Sequence, residues 1–268
     1  MAKPIMDPRD LPLLGPVANS DKDVFGSFTD LASKKLLCIG FSEPEVDDLV
    51  AKYRPAEIVL LTNWVDHRDA RISKYRLVVG DITRRTEFAA GAFDAILTLS
   101  VLEHLSDLRA AFDEMARLVP DGGELIHMFG PAWSSAYGHH IYERADDPLF
   151  DFSRWALPAH IHLLCSRDEL IRFYVQNGYS EHDGWVANYW FHEVPLINRV
   201  FYDDYIRIFE EDRFQLDRAE LMYNALPRSH LDHLRSRYPD RRDFSTYGGK
   251  YKLIVRNRDG VQARSVAG

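Results

Sequence analysis

Phe93-Asp94-Ala95-Ile96-Leu97-Thr98-Leu99-Ser100-Val101-Leu102-Glu103-His104-Leu105 sets the architecture. Ala95 to Leu99 is a short apolar run broken by one threonine, the pattern of a strand covered on both faces. Ser100 ends it. Leu108 to Leu118 then reads as a helix, with Leu108, Ala111, Phe112, Met115 and Leu118 on one face. The same alternation extends in both directions. Upstream, Leu36 to Ile39, Ile58 to Leu61 and Arg76 to Val79 read as buried strands, with a helix from Glu45 to Tyr53 between the first two. Downstream, Leu125 to Phe129 is the fifth strand. Strands alternating with helices imply right-handed crossovers, and hence an α/β fold: a doubly wound, mostly parallel sheet with helices on both faces. Ligands of such sheets bind beyond the carboxyl ends of the strands, so the residues just after each strand carry the functional information.

Farther out the pattern changes. Residues 1–33 are proline-rich and then turn-like around Val24-Phe25-Gly26-Ser27-Phe28, which suits an arm or cap over a core of residues 34–190. Ser166 with Glu169 three residues on forms a capping box, and Asn177-Gly178 stops the helix it starts. Trp185 to Trp190 reads as strand six, and residues 248–257, with Tyr251 to Arg256 at their centre, as the last strand. Residues 191–247 between them read as a mostly helical insert, a lid rich in Phe201, Tyr202, Tyr205 and Phe209. A dimer surface is the competing reading of those aromatics. Residues 258–268 read as a disordered tail.

Composition excludes several classes. The formal charge of −8 argues against a general nucleic-acid binder, which needs a basic face to displace counterions. The run Arg235, Arg237, Arg241, Arg242 is interleaved with Asp232, Asp240 and Asp243, as a solvated face would be. No apolar window reaches membrane-spanning length and no signal peptide is evident, so the expected location is cytoplasmic. Cys38 and Cys165 sit in apolar runs and read as buried thiols.

The segment Phe93 to Leu105, with Leu118-Val119-Pro120-Asp121-Gly122-Gly123-Glu124-Leu125 after it, resembles the fourth strand, helix and following turn of class I, Rossmann-like S-adenosylmethionine-dependent methyltransferases. His162-Leu163-Leu164-Cys165-Ser166-Arg167-Asp168-Glu169-Leu170 resembles their late helix. The resemblance covers about residues 30–185 and implies S-adenosyl-L-methionine as cofactor. It also implies places for that cofactor. Asp81 would accept from the adenine amino group, Ile82 would pack on the ring, and Ser100 and Val101 would flank the methionine part.

The glycine loop departs from the family pattern. Where the family carries an acid and three alternating glycines, this chain has Cys38-Ile39-Gly40-Phe41-Ser42-Glu43-Pro44. Only Gly40 of the glycines remains, and the resemblance implies that Gly40 and Phe41 lie against the cofactor. Ser42 and Glu45 form a capping box with Pro44 in the first turn, so the loop is a helix start in any case. Ser42 or Glu43 is then left to bond the ribose or amino group. After strand two the usual acid is replaced by Asn63, which offers both a donor and an acceptor; Asp66 and Asp69 lie farther on.

Methyl transfer needs orientation and, for a hydroxyl or ammonium acceptor, a base. After strand five comes Gly130-Pro131-Ala132-Trp133-Ser134-Ser135-Ala136-Tyr137-Gly138-His139-His140. Its expected roles are His139 or His140 as base, and Trp133 and Tyr137 as walls for substrate, with His104 a further substrate contact. A metal site from His139, His140, His160 and His162 with Glu143 or Asp146 lacks the spacing of known ligand motifs. A serine hydrolase lacks its Gly-x-Ser-x-Gly elbow. The expected activity is methyl transfer to an oxygen or nitrogen of a small molecule. The rivals are a partner-activating subunit on the same fold, and an enzyme using the cleft for cyclisation or isomerisation.

Overall fold

The computed structural model describes residues 7–16, 25, 28–63, 70–72 and 75–256. Met1 to Met6, Trp64, Asp66, Asp69, most of the Val24–Ser27 turn and the tail from Arg258 lie outside the described residues. The chain forms two compact units. The sheet unit comprises residues 21–129, 206–220 and 249–268; the helical unit comprises 1–20, 130–205 and 221–248.

The sheet has eight strands: β1 (Lys35–Ile39), β2 (Glu57–Thr62), β3 (Ala70–Ile72), β4 (Tyr75–Val79), β5 (Ala95–Leu99), β6 (Glu124–Phe129), β7 (Phe214–Tyr223) and β8 (Thr246–Val255). Their order is β3-β4-β2-β1-β5-β6-β8-β7. β1 pairs in parallel with β2 and β5, β2 with β4, and β5 with β6. β3 runs antiparallel to β4, and β8 antiparallel to β6. The expected doubly wound, mostly parallel sheet is present.

The helices α1 (Glu43–Tyr53) and α2 (Leu108–Leu118) pack on it. Val46 and Leu49 of α1 pack with Leu36, Cys38, Ile58, Leu60 and Ile126. Phe112 of α2 instead meets His127, next to Ile126 in the strand, at a ring distance of 5.1 Å. Successive strand residues point to opposite faces, so α1 and α2 lie on opposite sides. Leu36, Leu97 and Phe112 are fully buried, each worth about 1.5–3 kcal/mol of transfer free energy. The α1 start is the expected capping box, with the Glu45 carboxylate accepting from Ser42 N–H and Oγ–H, both at 2.7 Å.

The helical unit holds α3 (Ile161–Leu164), α4 (Arg167–Gln176), α5 (Glu181–His192) and α7 (Arg228–Arg237), while α6 (Tyr202–Phe209) begins in it. α4 starts and stops as read, capped by Ser166 and Glu169 and followed by Gly178 at φ +87°. Strand six is a correction: Trp185 to Trp190 lies in α5, not in a strand. The aromatic run suggested a strand, but a capping box upstream decides. Asp183 Oδ2 accepts from Ser180 N–H at 2.9 Å, and Ser180 Oγ accepts from Asp183 N–H at 3.2 Å. Gly184 then lets α5 approach α4, since a Cβ there would sit 2.6 Å from Ile171 Cα. Strand β7 falls instead inside the region expected to be helical, between α6 and α7. Cys38 and Cys165 are buried thiols, as expected.

The loop after β6 is built on close backbone packing. A Cβ on Gly138 would stand 2.4–2.6 Å from Trp133 O, Ala132 O and Trp133 C, all backbone atoms that cannot move aside cheaply. Gly138→Ala should therefore cost about 3 kcal/mol, the upper end for overpacking. The shift of the urea midpoint measures it, and a change below about 1 kcal/mol would contradict this packing.

Candidate functional site

The carboxyl ends of four adjacent parallel strands converge. Ile39 pairs with Leu61 and with Thr98, and Thr62 with Val79, so Gly40, Asn63, Gly80-Asp81 and Ser100 follow at one edge of the sheet. Gly80 N–H donates to Thr62 O at 2.8 Å and Ser100 N–H to Met128 O at 2.8 Å, which fixes these turns to their neighbours. The chain winds one way from β1 and the other way from β5. Gly40 and Ser100 therefore flank the switch point, where ligands of open α/β sheets sit.

Gly40 has φ +82°, and a Cβ there would meet Val101 Cγ2 at 2.1 Å and Leu99 O at 2.3 Å. The end of β5 thus requires this glycine. Gly40, Ser42, Asn63 and Ser100 are exposed, and Asp81 and Val101 are half-buried. Asp81 Oδ1 accepts from Thr83 N–H at 2.9 Å and Oγ–H at 2.7 Å, while Oδ2 faces Arg84 Nε at 3.8 Å. The carboxylate is held by its own turn with the second oxygen turned to a surface cation. Two of the cofactor residues read from the sequence are placed otherwise. Ile82 is only 3% exposed and offers little surface to an adenine ring. Phe41 is buried against Phe25, ring centroids 5.6 Å apart. His104 ends a 3-10 turn (Leu102–His104) and is exposed.

The residues expected to face substrate after β6 are core residues of the helical unit. Tyr137 is fully buried; its hydroxyl donates to Leu14 O at 2.6 Å and accepts from Leu14 N–H at 3.3 Å, clasping the residue 7–16 segment. Trp133 is buried too, edge-on to His162 at 4.5 Å and under the Arg199 guanidinium at 5.5 Å. The sequence signal for both was aromatic content in a loop, which cannot separate a wall from a core.

The histidines are more discriminating. His140 has φ +50° and directs Nδ1 to Gly138 O at 2.9 Å. A carbonyl only accepts, so Nδ1 carries the proton and Nε2 the basic lone pair. His139 is the reverse. Its Nδ1 accepts from Ile141 N–H at 3.2 Å, so its proton is on Nε2. Burial, then His140 and His160, hold its pKa well below the ordinary value. His139 is thereby a donor, and of the two expected bases the geometry suits His140 alone.

His160 and His162 do not assemble with Glu143 or Asp146. His160 accepts at Nδ1 from His230 Nε2 (3.0 Å) and donates from Nε2 to Phe244 O (2.9 Å). Glu143 accepts from Trp190 Nε1 at 2.6 Å, and Asp146 pairs with Arg154. Sequence reasoning passed over His230 and Arg199. Arg199 donates to the carbonyls of Phe191, Ile197 and Val194 at 3.2, 3.2 and 2.9 Å, closing the end of α5.

The family model that matches, over residues 35–127, is described as a methyltransferase domain. Residues 35–127 are thus a methyltransferase domain, which makes the chain a methyltransferase with S-adenosylmethionine as its cofactor. No curated protein matches the sequence. Among solved structures, an S-adenosylmethionine-dependent methyltransferase from Mesorhizobium loti shares 8% identity over 84% of this chain and 93% of its own, with a TM-score of 0.50. A Listeria monocytogenes protein assigned to the same class shares 11% over 85% of this chain and 93% of its own, also at 0.50. At such identities the likeness is one of fold. The methyltransferase segment contains β1 to β5, and with them every strand end that forms the convergent edge. Among the described residues no helix is long and apolar enough to cross a membrane.

Proposed function

We propose that this methyltransferase acts in the cytoplasm on an oxygen or nitrogen atom of a small molecule. The observation that carries the reading is the row of accessible polar groups at the switch point, Gly40, Ser42, Asn63, Asp81 and Ser100. Their chemistry fits the cofactor. Asn63 can donate to one ribose hydroxyl and accept from the other, Asp81 can accept from the adenine amino group, and the exposed backbone of Gly40 and Ser100 flanks the methionine part. Bound S-adenosylmethionine supplies an electrophilic methyl group on a sulfonium. The chain's own contribution is to orient the acceptor and to take its proton, and His140 Nε2 holds the lone pair for that step.

Calorimetry with S-adenosylmethionine and S-adenosylhomocysteine tests the cofactor site. The wild-type protein should bind both. Asp81→Asn keeps an oxygen for the Thr83 turn bonds but replaces an acceptor by an amide donor. It should weaken both affinities about tenfold or more, the loss of a hydrogen bond to a charged group. Unchanged affinity in Asp81→Asn, or no binding by the wild type, would overturn this assignment.

A further inference from the structure

His139 and His162 share a buried environment and are left incomplete by the bonding around them. His139 is fully buried and His162 is 3% exposed; their ring centroids are 5.4 Å apart at an interplanar angle of 74°. The backbone fixes both tautomers. Ile141 N–H points at His139 Nδ1, so His139 carries its proton on Nε2. His162 Nε2 lies 2.8 Å from Trp133 O, an acceptor only, so His162 also carries its proton on Nε2 and its lone pair on Nδ1. His139 Nε2 and His162 Nδ1 have no hydrogen-bond partner among the described residues. Buried polar atoms are nearly always satisfied, and a site that leaves them unmet calls for an explanation.

We propose that His139 and His162 together form a hydroxyl-binding site, in which His139 Nε2–H donates to the oxygen and the hydroxyl hydrogen is donated to His162 Nδ1. Donor and acceptor complementarity excludes ammonium, carboxylate and metal-ion ligands. An ammonium has no lone pair for His139, and a carboxylate has no hydrogen for His162. A metal ion would need the lone pair at His139 Nε2, which its Ile141 bond replaces by a proton. The Phe191 ring lies 4.7 Å from His139 and the Trp133 ring 4.5 Å from His162, so apolar rings pack against both imidazoles. The nearby His160–His230 pair satisfies the same donor-to-acceptor logic by direct contact at 3.0 Å.

One chemistry here has two sources, a bound water or a hydroxyl of the methyl acceptor. In the second case oxygen is the atom recognised; that arm rests on the methyl-transfer reading, whereas the site itself does not. Long-range proton–nitrogen NMR of the full chain labelled with 15N-histidine tests it, with methanol and methylammonium as probes. Both rings should appear as Nε2–H tautomers with no nitrogen–nitrogen coupling between them. Methanol shifting His139 Nε2 and His162 Nδ1, with methylammonium silent, identifies an organic hydroxyl. Silence of methanol with a long-lived water cross peak to the His139 Nε2 proton identifies water. Either result supports the site. An Nδ1–H tautomer in either ring, a coupling across a direct His139–His162 bond, a response to methylammonium, or neither methanol nor water contact would overturn it. None of these readouts depends on methyl transfer, so failure here is distinguishable from failure of the activity.

Discussion

His140→Asn should lower the methyl-transfer rate constant about 100- to 10,000-fold, the usual worth of a positioned general base, with S-adenosylmethionine affinity within about twofold of wild type. The expectation follows from the tautomer. Gly138 O draws the ring proton to Nδ1 and leaves Nε2 basic, while His139 next to it is locked as a donor by Ile141 N–H. Asparagine is the suitable replacement because His140 sits at φ +50°, a left-handed conformation that asparagine tolerates better than most residues. Single-turnover kinetics with the identified acceptor give the rate, and calorimetry gives the affinity. His139→Gln keeps a donor at that position and should retain far more activity. A loss below about threefold in His140→Asn would assign the proton to another group, and an equal loss in both variants would remove the distinction drawn from tautomers.

The parts legible in the sequence are those set by local pattern. β1, β2 and β5 are apolar runs because their residues are covered on both faces, and α2 shows its buried stripe because its other side is solvated. Capping boxes at Ser42 and Ser166 were legible for the same reason: both partners lie within one helical turn. β7 was not. Gln215 to Ala219 are all exposed at the edge of the sheet, so the strand carries Asp217 and Arg218 instead of an apolar run. Trp185 to Trp190 misled because aromatic residues favour strands only when a sheet receives them, and the Ser180 cap commits that segment to a helix first. At the site, topology alone brings Gly40, Asn63, Asp81 and Ser100 to one edge, so their positions could be read. Tyr137 and Ile82 could not be, because whether an apolar or aromatic side chain faces a ligand depends on what the rest of the chain lays over it. Leu14, far away in sequence, occupies the Tyr137 hydroxyl. The His160–His230 contact spans 70 residues and likewise has no local signature.

Those buried imidazoles should make the protein unusually sensitive to mild acid. Burial lowers the pKa of His127 and His160 to about 3, in His160 with help from the neighbouring His230. His139 and His162 are held well below the ordinary value by burial first and then by neighbouring histidines. In the unfolded chain each ring binds a proton near pH 6.5. Between that value and the depressed folded pKa the unfolded state binds more protons, so falling pH favours unfolding; above pH 6.5 both states are neutral and the contribution is flat. Each ring whose folded pKa lies near 3 costs about 1.4 kcal/mol per pH unit, hence about 2 kcal/mol at pH 5 and about 4 kcal/mol for His127 and His160 together; His139 and His162 act in the same direction. That is a large part of the stability of an ordinary domain. Asp151 and Asp183, whose pKa values are lowered by their hydrogen-bond partners, stay ionised and add little in this window. The unfolding temperature should therefore fall by about 8 °C or more between pH 7.5 and pH 5. Calorimetric scans at the two pH values and equal ionic strength measure it. A fall below about 3 °C would mean that these rings are already protonated in the folded state or are reached by water, and the neutral tautomers assigned to His139 and His162 would fall with it.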